Sequence, residues 1–410
     1  MTRRVVVTGM AGISPIGQDW KTVSDCLRAG LSGIRRVDLW DDVEDFNTRL
    51  GSPVQDFQPP EHWPRKKRRA MGRVSLLSAS AAEKALDDAG LLGDPLLSSG
   101  RVGVSFGSSQ GSPPAMSVYA EKLFQGRRLR GIGANEYLQI MSHTCAANIA
   151  NLFELRGRIV STCTACTSGS QGIGFAYEMV ASGHQDVMLG GGAEELHPMV
   201  VAVFDILFST STRNDEPGST PRPFDADRDG LVVGEGAGCL VLEELEHARR
   251  RGAHIYAEMI GFGTNSDGQH MTNPDPAGMQ AVQRLALADA RLDPSQVDYV
   301  NAHGTATDVG DVAESQATHR VFGGGVPVSS LKGHMGHTLG ACGALEAWMT
   351  IGMLREGWFA PTLHLENVDE RCGRLDYIMG EPREIQADVV MSNNFAFGGV
   401  NTSLLFRRFV

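Results

Sequence analysis

A cysteine acts as a nucleophile only where its surroundings favour the thiolate or take its proton. Of seven cysteines, at 26, 145, 163, 166, 239, 342 and 372, Cys166 has such a setting. It lies in Ser161-Thr-Cys-Thr-Ala-Cys-Thr-Ser-Gly, after a strand-like Arg158-Ile-Val and before Ile173, Ala176, Tyr177 and Val180, which recur at helical spacing. The sulfur therefore sits at a strand-to-helix turn, near a helix start whose free N–H groups and positive dipole end favour a thiolate. The competing reading is a buried structural cysteine, assumed for Cys239, Cys342 and Cys372, and for a lone cysteine it is the commoner outcome. Cys163, three residues earlier, is given no catalytic role.

Two histidines occupy comparable settings. His303, in Asn301-Ala-His-Gly-Thr-Ala-Thr-Asp, follows a predicted strand, where α/β active sites gather. Hydroxyls around it suit a ring held in one orientation. His337 closes Leu331-Lys-Gly-His-Met-Gly-His, a glycine-rich loop opening a helix. His334 precedes it by three, which raises a metal pair, but no carboxylate or thiolate clusters nearby and no metal is expected. His62, His184, His247 and His319 read as surface residues. A fourth motif, Ser392-Asn-Asn-Phe-Ala-Phe-Gly-Gly-Val-Asn401, runs from strand into loop. Its glycines permit φ > 0 and leave N–H groups to face a developing oxyanion, although a phosphate loop or a plain turn reads similarly. Neither a Walker pattern nor G-x-G-x-x-G after a first strand occurs, which disfavours nucleotide binding.

These residues need a large scaffold. The chain has 410 residues, 42% apolar and 21% charged, which excludes disorder and allows two or three domains or one duplicated unit. Its 49 glycines, without collagen period, argue for many tight turns and close backbone approaches. The odd cysteine count without metal spacing argues against a disulfide framework and for a reducing, cytoplasmic setting. Arg3-Arg-Val-Val-Val reads as a first strand, too short for a signal peptide's apolar region, and no membrane span is expected. A net charge of −11 disfavours nucleic acid. Against that balance stand Arg65-Lys-Lys-Arg-Arg69 with Arg73, and Arg127, Arg128 and Arg130. Such patches fit either an anionic partner or a solvated charged face, and composition alone favours the solvated face.

Strands are expected at Arg4–Val7, Val102–Phe106, Val187–Leu189, Cys239–Leu242, Tyr299–Asn301 and Val389–Met391, with helices at Ser75–Asp88, Gln171–Ala181, Met279–Ala290 and Ala344–Leu354. Alternation of this kind implies parallel, buried sheets. Two segments echo each other, Glu83–Leu91 and Arg284–Leu292, each ending Asp-Ala-x-Leu before a strand. Glycine-opened helices near Gly169 and Gly340 form a second echo. Two related halves, 1–250 and 251–410, fit both echoes, with chance similarity as the competitor.

Taken together, the motifs resemble the β-ketoacyl-acyl carrier protein synthases, the condensing enzymes of fatty acid and polyketide assembly. The resemblance runs from Val5-Val-Val-Thr-Gly-Met-Ala-Gly-Ile-Ser-Pro-Ile-Gly through Phe224-Asp-Ala-Asp-Arg-Asp-Gly-Leu-Val-Val-Gly-Glu-Gly to the Phe-Gly-Gly loop. It implies an α/β thiolase-like fold, with duplicated halves in a five-layer αβαβα sandwich. It further implies a ping-pong decarboxylative Claisen condensation: Cys166 takes an acyl chain from an acyl carrier protein, and malonyl-carrier then loses CO₂ and attacks it. By the same resemblance, His303 and His337 stabilise the enolate, Lys332 and Glu314 form a charged pair with Asp311 beside it, and the N–H groups of Cys166 and Phe397 form an oxyanion hole. Thr305 and Thr307 match pantetheine contacts, Phe397 a gating ring, and Phe204 and Gln110 the acyl-binding region. Arg65, Lys66, Arg69, Arg127 and Arg130 match the carrier-docking surface. No dissociable cofactor is implied; the expected assembly is a homodimer, with a chain-length-factor-like partner as the alternative. A thiolase would need a second catalytic cysteine in the last motif, and the synthase that starts chains would carry only one of these histidines. The family's Gly-Phe-Gly-Gly-Thr-Asn stands here as Ala396-Phe-Gly-Gly-Val-Asn401, so a stiffened gate is expected. Gln110, polar where the family has an apolar residue or glycine, needs a hydrogen-bond partner and points to an unsaturated, hydroxylated or aromatic-ended acyl chain, as in aryl polyene-type pathways, or simply to a short one, with a housekeeping fatty acid enzyme as the equal alternative.

Overall fold

A single eleven-stranded sheet runs through the computed structural model, which describes residues 3–38 and 40–410. In chain order the strands are β1 Val5–Ile13, β2 Val102–Gly107, β3 Ile159–Thr162, β4 Val187–Glu194, β5 Gly236–Glu244, β6 Ala257–Ser266, β7 Tyr299–Asn301, β8 Pro327–Ser329, β9 Asp376–Tyr377, β10 Val389–Ala396 and β11 Val400–Arg408. Across the sheet they lie in the order β9-β8-β7-β10-β11-β6-β1-β5-β4-β2-β3.

That order contains the same motif twice. In the first half β3-β2-β4-β5-β1 pair parallel, parallel, antiparallel, antiparallel. In the second, β8-β7-β10-β11-β6 repeat the same sequence of directions. Two independent folds would not be expected to share both order and direction, so the faint echo in the sequence has a structural counterpart. The halves meet where β1 pairs with β6, through Val5–Val7 against Ala257–Met259 only. This short seam turns what the sandwich description treats as two sheets into one continuous ladder.

Among the helices, those that pack on this sheet or reach the site are α1 Arg73–Asp88, α2 Thr144–Phe153, α3 Ser168–Ala181, α4 Pro198–Ile206, α5 Pro276–Ala290, α6 Asp308–Phe322 and α7 Cys342–Glu356. Helices α1 and α2 cover the outside of the first half, and α5 and α6 that of the second, while α3 and α7 touch strands of both and fill the middle. The layers are therefore αβαβα. Buried on both faces, β1, β2 and, up to Ala193, β4 read in sequence as apolar and small residues, with Glu194 closing β4. The middle core joins Ile173 and Val180 to Leu240, Trp348 and Leu404, each side chain worth about 1.5–3 kcal/mol on removal from water. Glycine makes the central approach possible. A Cβ on Gly169 would lie 2.9 Å from the Ala344 nitrogen, and one on Gly343 would lie 2.8 Å from the Ser170 nitrogen. The starts of α3 and α7 thus meet backbone to backbone. Among the described residues, no helix is long and apolar enough to cross a membrane.

Candidate active site

The close approach of α3 and α7 brings together residues far apart in sequence. Cys166 sits in a 3₁₀ turn, Ala165–Thr167, that runs straight into α3. His303 follows β7, and His337 precedes the 3₁₀ turn Leu339–Ala341 that opens α7. His337 Nε2 stands 3.0 Å from Cys166 Sγ, and the two imidazoles are 5.0 Å apart at 87°. All three side chains are buried. Ala165, Ala306 and Leu339, each close in sequence to one of them, hold φ of +49°, +66° and +45°. Such conformations cost a non-glycine residue about 1 kcal/mol or more each, and they are held here by the surrounding structure.

Electrostatics differ from what the helix start alone suggested. Burial pushes the Cys166 thiol up to about 12, and the Lys332 charge, which acts in the opposite direction, does not offset it. The nearest group able to accept that proton is His337 Nε2, at 3.0 Å. Burial, reinforced by the Lys332 charge, holds both imidazoles well below their usual pKa, so they are neutral at pH 7. The tautomer of His303 is fixed: Lys332 Nζ, which can only donate, lies 3.3 Å from Nδ1, and Asn394 Nδ2 lies 3.4 Å away. The remaining proton is on Nε2.

Lys332 corrects one expectation. Its ion-pair partner is Glu346 on α7, at 2.5 Å, not Glu314. Burial would lower the ammonium's pKa, but Glu346 and neighbouring groups outweigh it and hold it above its ordinary value. Glu314 instead clamps the His303 loop, accepting from the N–H groups of His303 and Gly304 at 2.7 Å each. Asp311 does the same one turn along, accepting from Thr305, Ala306 and Phe224. The geometric reason is sequence distance: Glu314 faces backbone donors of its own loop, whereas Glu346 crosses from the central helix. Glu346 and Asn394, which binds Glu346 Oε2 at 2.6 Å, were missed. One acid inside the buried stretch Cys342–Leu354 of α7 was the available signal.

A cavity of about 240 Å³ opens onto Cys166, His303 and His337. Thr305, Thr307, Phe204 and Phe397 line it, with the two phenyl rings 5.3 Å apart and the two threonine hydroxyls 3.0 Å apart. Gln110 does not line it; that residue is half-buried in the turn after β2, so no partner in the acyl cavity is needed. His334 stands apart, its ring nitrogens on the carbonyls of Leu31 and Pro361. His247 is not a free surface group either, because its Nδ1 lies 2.5 Å from Glu243. Cys342, buried as expected, donates to the Cys166 carbonyl at 3.2 Å. Sγ of Cys166 and ring nitrogens of His303 and His337 fall within 4.8 Å of one another, the one group of three metal-capable side chains among the described residues.

Residues 2–248 match the family model for the β-ketoacyl synthase N-terminal domain, and residues 256–366 that for the C-terminal domain. The chain belongs to the β-ketoacyl synthase family. The 3-oxoacyl-(acyl-carrier-protein) synthase 2 of Coxiella burnetii is 39% identical, over 99% of each chain. Among solved structures, a β-ketoacyl synthase from Burkholderia phymatum is 57% identical with a TM-score of 0.98, over all of both chains. The ishigamide ketosynthase/chain length factor is 32% identical with a TM-score of 0.92, again over all of both chains. Against this β-ketoacyl synthase background, the Ala396 expectation needs correcting. Ala396 is the last residue of β10, paired with Val400, and positive φ falls on Gly398 and Gly399 at +88° and +68°. A Cβ at 396 therefore costs nothing in this arrangement.

The basic residues separate into two kinds. Arg65, Lys66, Arg69, Arg127 and Arg130 are exposed, and among the described residues no carboxylate lies within 4.0 Å of them. Lys67 and Arg73 are structural: Lys67 binds the carbonyls of Asn151 and Leu152, and Arg73 pairs with Glu235 at 2.7 Å.

Proposed function

We propose that this β-ketoacyl synthase elongates acyl chains held on an acyl carrier protein. The 3.0 Å contact between Cys166 Sγ and a neutral His337, with His303 facing both from the cavity wall, carries the reading. Cys166 attacks the acyl-carrier thioester, forming a new C–S bond while the carrier's thiolate leaves with the proton. Malonyl-carrier then loses CO₂, and its enolate oxygen is held by the N–H that His303 carries on Nε2, with the His337 ring beside it. Attack of the enolate carbon on the acyl-cysteine forms the C–C bond and breaks the C–S bond, and the released Cys166 thiolate takes a proton from solvent to become the thiol again. The tetrahedral oxygen is met by the N–H groups of Cys166 and Phe397, while Thr305 and Thr307 receive the pantetheine arm and Phe397 with Phe204 shields the acyl-cysteine. Lys332 positions His303, and Asp311 and Glu314 hold its loop. Each turnover consumes the two carrier thioesters and one solvent proton. The first half supplies the nucleophile and the second the histidines and gate.

Incubation with an acyl-carrier should add the acyl mass to the intact enzyme, and later malonyl-carrier should remove it with release of β-ketoacyl-carrier. Absence of any adduct across a panel of chain lengths would refute the proposal. His303→Ala should retain self-acylation better than malonyl decarboxylation, measured as CO₂ release, because its N–H serves the enolate; the reverse order would remove that role.

The exposed cations suit an acidic carrier protein. Reversing charge at Lys66 and Arg69 together should raise KM for acyl-carrier about tenfold at low salt and leave a small acyl thioester unaffected, since surface pairs act on encounter and are screened by salt. Equal losses with both donors would count against docking there. A second copy of the chain fits the outer edge of β3, where the ladder ends and Ile159 is 51% exposed. A chain-length-factor-like homologue in that place is the second reading, favoured by the composition of the ishigamide complex.

A further inference from the structure

Three acids stand buried together at the end of β4. Glu235 is paired with Arg73 and also accepts from the N–H groups of Val54 and Leu196. Glu195 accepts from the Val74 N–H and the Ser112 hydroxyl. Neither Glu195 nor Glu194 has a cation within 4.0 Å among the described residues, and Glu194 is the one that reaches the active-site turn. Its Oε2 accepts two backbone N–H groups, from Ser109 at 3.1 Å and Gly340 at 3.0 Å, and its Oε1 is buried without a partner.

Those two donors belong to segments that are distant in sequence and adjacent at the site. Ser109 is in the turn after β2, where its carbonyl also receives the Cys163 thiol at 3.1 Å. Gly340 is the middle of the turn between His337 and α7. A Cβ on Gly340 would fall 2.6 Å from the Ser109 nitrogen and 2.9 Å from Glu194 Oε2. On the opposite side, a Cβ on Gly169 would fall 2.9 Å from the Gly340 carbonyl oxygen. The turn after His337 is thus wedged between the helix that Cys166 opens and the end of β2, and one carboxylate oxygen pins it there. Leu339, in the same turn, is held at φ +45°.

We propose that Glu194 is a positioning residue for acyl transfer: by tying Gly340 to Ser109 it holds His337 at hydrogen-bond distance from Cys166. The inference rests on the proposed acyl-acceptor role of Cys166. A second link is electrostatic. Burial raises the Glu194 carboxyl to about 7, and its negative charge contributes to raising the Cys166 thiol. The titratable groups that feel this charge are Cys145 on α2, Cys163, and Cys166 itself.

Two variants test it. Glu194→Ala should slow acyl-adduct formation at least tenfold at saturating acyl-carrier without changing KM. Glu194→Gln, which keeps an acceptor oxygen for both N–H groups, should restore the rate to within threefold. The second readout is alkylation of Cys166 by iodoacetamide, followed by peptide mass spectrometry. The carboxyl is neutral at pH 6 and charged at pH 8.5, so the Glu194→Gln to wild-type rate ratio should be near one at pH 6 and at least threefold at pH 8.5. A purely structural acid would leave that ratio flat. The positioning role is overturned by wild-type acylation in Glu194→Ala or by a loss that Gln does not rescue, and the electrostatic link by a flat ratio; if Glu194→Ala fails to fold, Glu194→Asp, whose carboxylate is one methylene short of the two N–H groups, should show the slowed acylation instead, and wild-type acylation there overturns the proposal. If the wild-type enzyme forms no adduct at all, the reading of Cys166 as acyl acceptor fails, while the alkylation ratio still reports on Glu194.

Discussion

Cys166→Ala should show no acyl adduct in the intact-mass spectrum, and condensation should fall by at least about a thousandfold, as when other covalent catalysts lose the nucleophile. The physical basis is that the chemistry has no second route. With the thiol pushed up to about 12, a free thiolate is scarce at neutral pH, and reactivity depends on the proton passing to His337 at 3.0 Å. Neither neighbouring sulfur shares that arrangement. Cys163 is exposed, and its thiol is directed to the Ser109 carbonyl. Cys342 is buried, and its thiol is directed to the Cys166 carbonyl. Neither lines the cavity. Cys163→Ala should accordingly acylate at the wild-type rate. An adduct that survives Cys166→Ala and disappears in Cys163→Ala would reassign the nucleophile.

Much of this site could be read from residue types because its parts sit at element ends, where strand periodicity breaks into glycine, hydroxyl and histidine. Cys166, His303, His337 and the Phe397 loop each announced themselves in that way. The fold was legible for the same reason: runs such as Val102–Phe106 and Val187–Leu189 are buried on both faces and carry no polar alternation to confuse the period. Partnerships across the middle layer were less accessible. Lys332 and Glu346 are fourteen residues apart, and nothing local says that one turns to meet the other, whereas Glu314 lies in a motif already under suspicion. The shift of the thiol was misjudged because a helix start is visible in sequence and depth of burial is not. Gln110 and Ala396 failed differently. Position in a motif does not state whether a side chain reaches the cavity, nor which residue of a turn bears the positive φ. Glu194 was hidden among small residues, Gly190-Gly-Gly-Ala-Glu-Glu195, that read as a plain buried strand.

Lys332→Met should separate stability from catalysis. Lys332 and Glu346 are both fully buried, and removing one partner of such a pair leaves an uncompensated charge that costs about 3–5 kcal/mol. For a chain of this length, that lowers Tm by roughly 5 °C. The penalty depends on pH with a definite sign. Burial already raises the Glu346 carboxyl, and loss of the Lys332 charge, which opposes that rise, raises it further. A group whose folded pKa lies above its unfolded value binds more protons when folded, so stability falls as pH climbs above the unfolded value. The difference in Tm between wild type and Lys332→Met should therefore widen from pH 5.5 to pH 8. Replacing both residues, Lys332→Met with Glu346→Leu, removes the stranded charge and should recover most of the lost Tm, because apolar pairs of similar volume substitute well for buried ion pairs. Activity should not recover with it. His303 would still lack the donor that holds its proton on Nε2, and enolate formation, read as malonyl decarboxylation, should remain at least tenfold below wild type while self-acylation by Cys166 is less affected. A double variant that regains decarboxylation together with Tm would mean that the pair serves packing alone, and that Asn394 suffices to orient the ring.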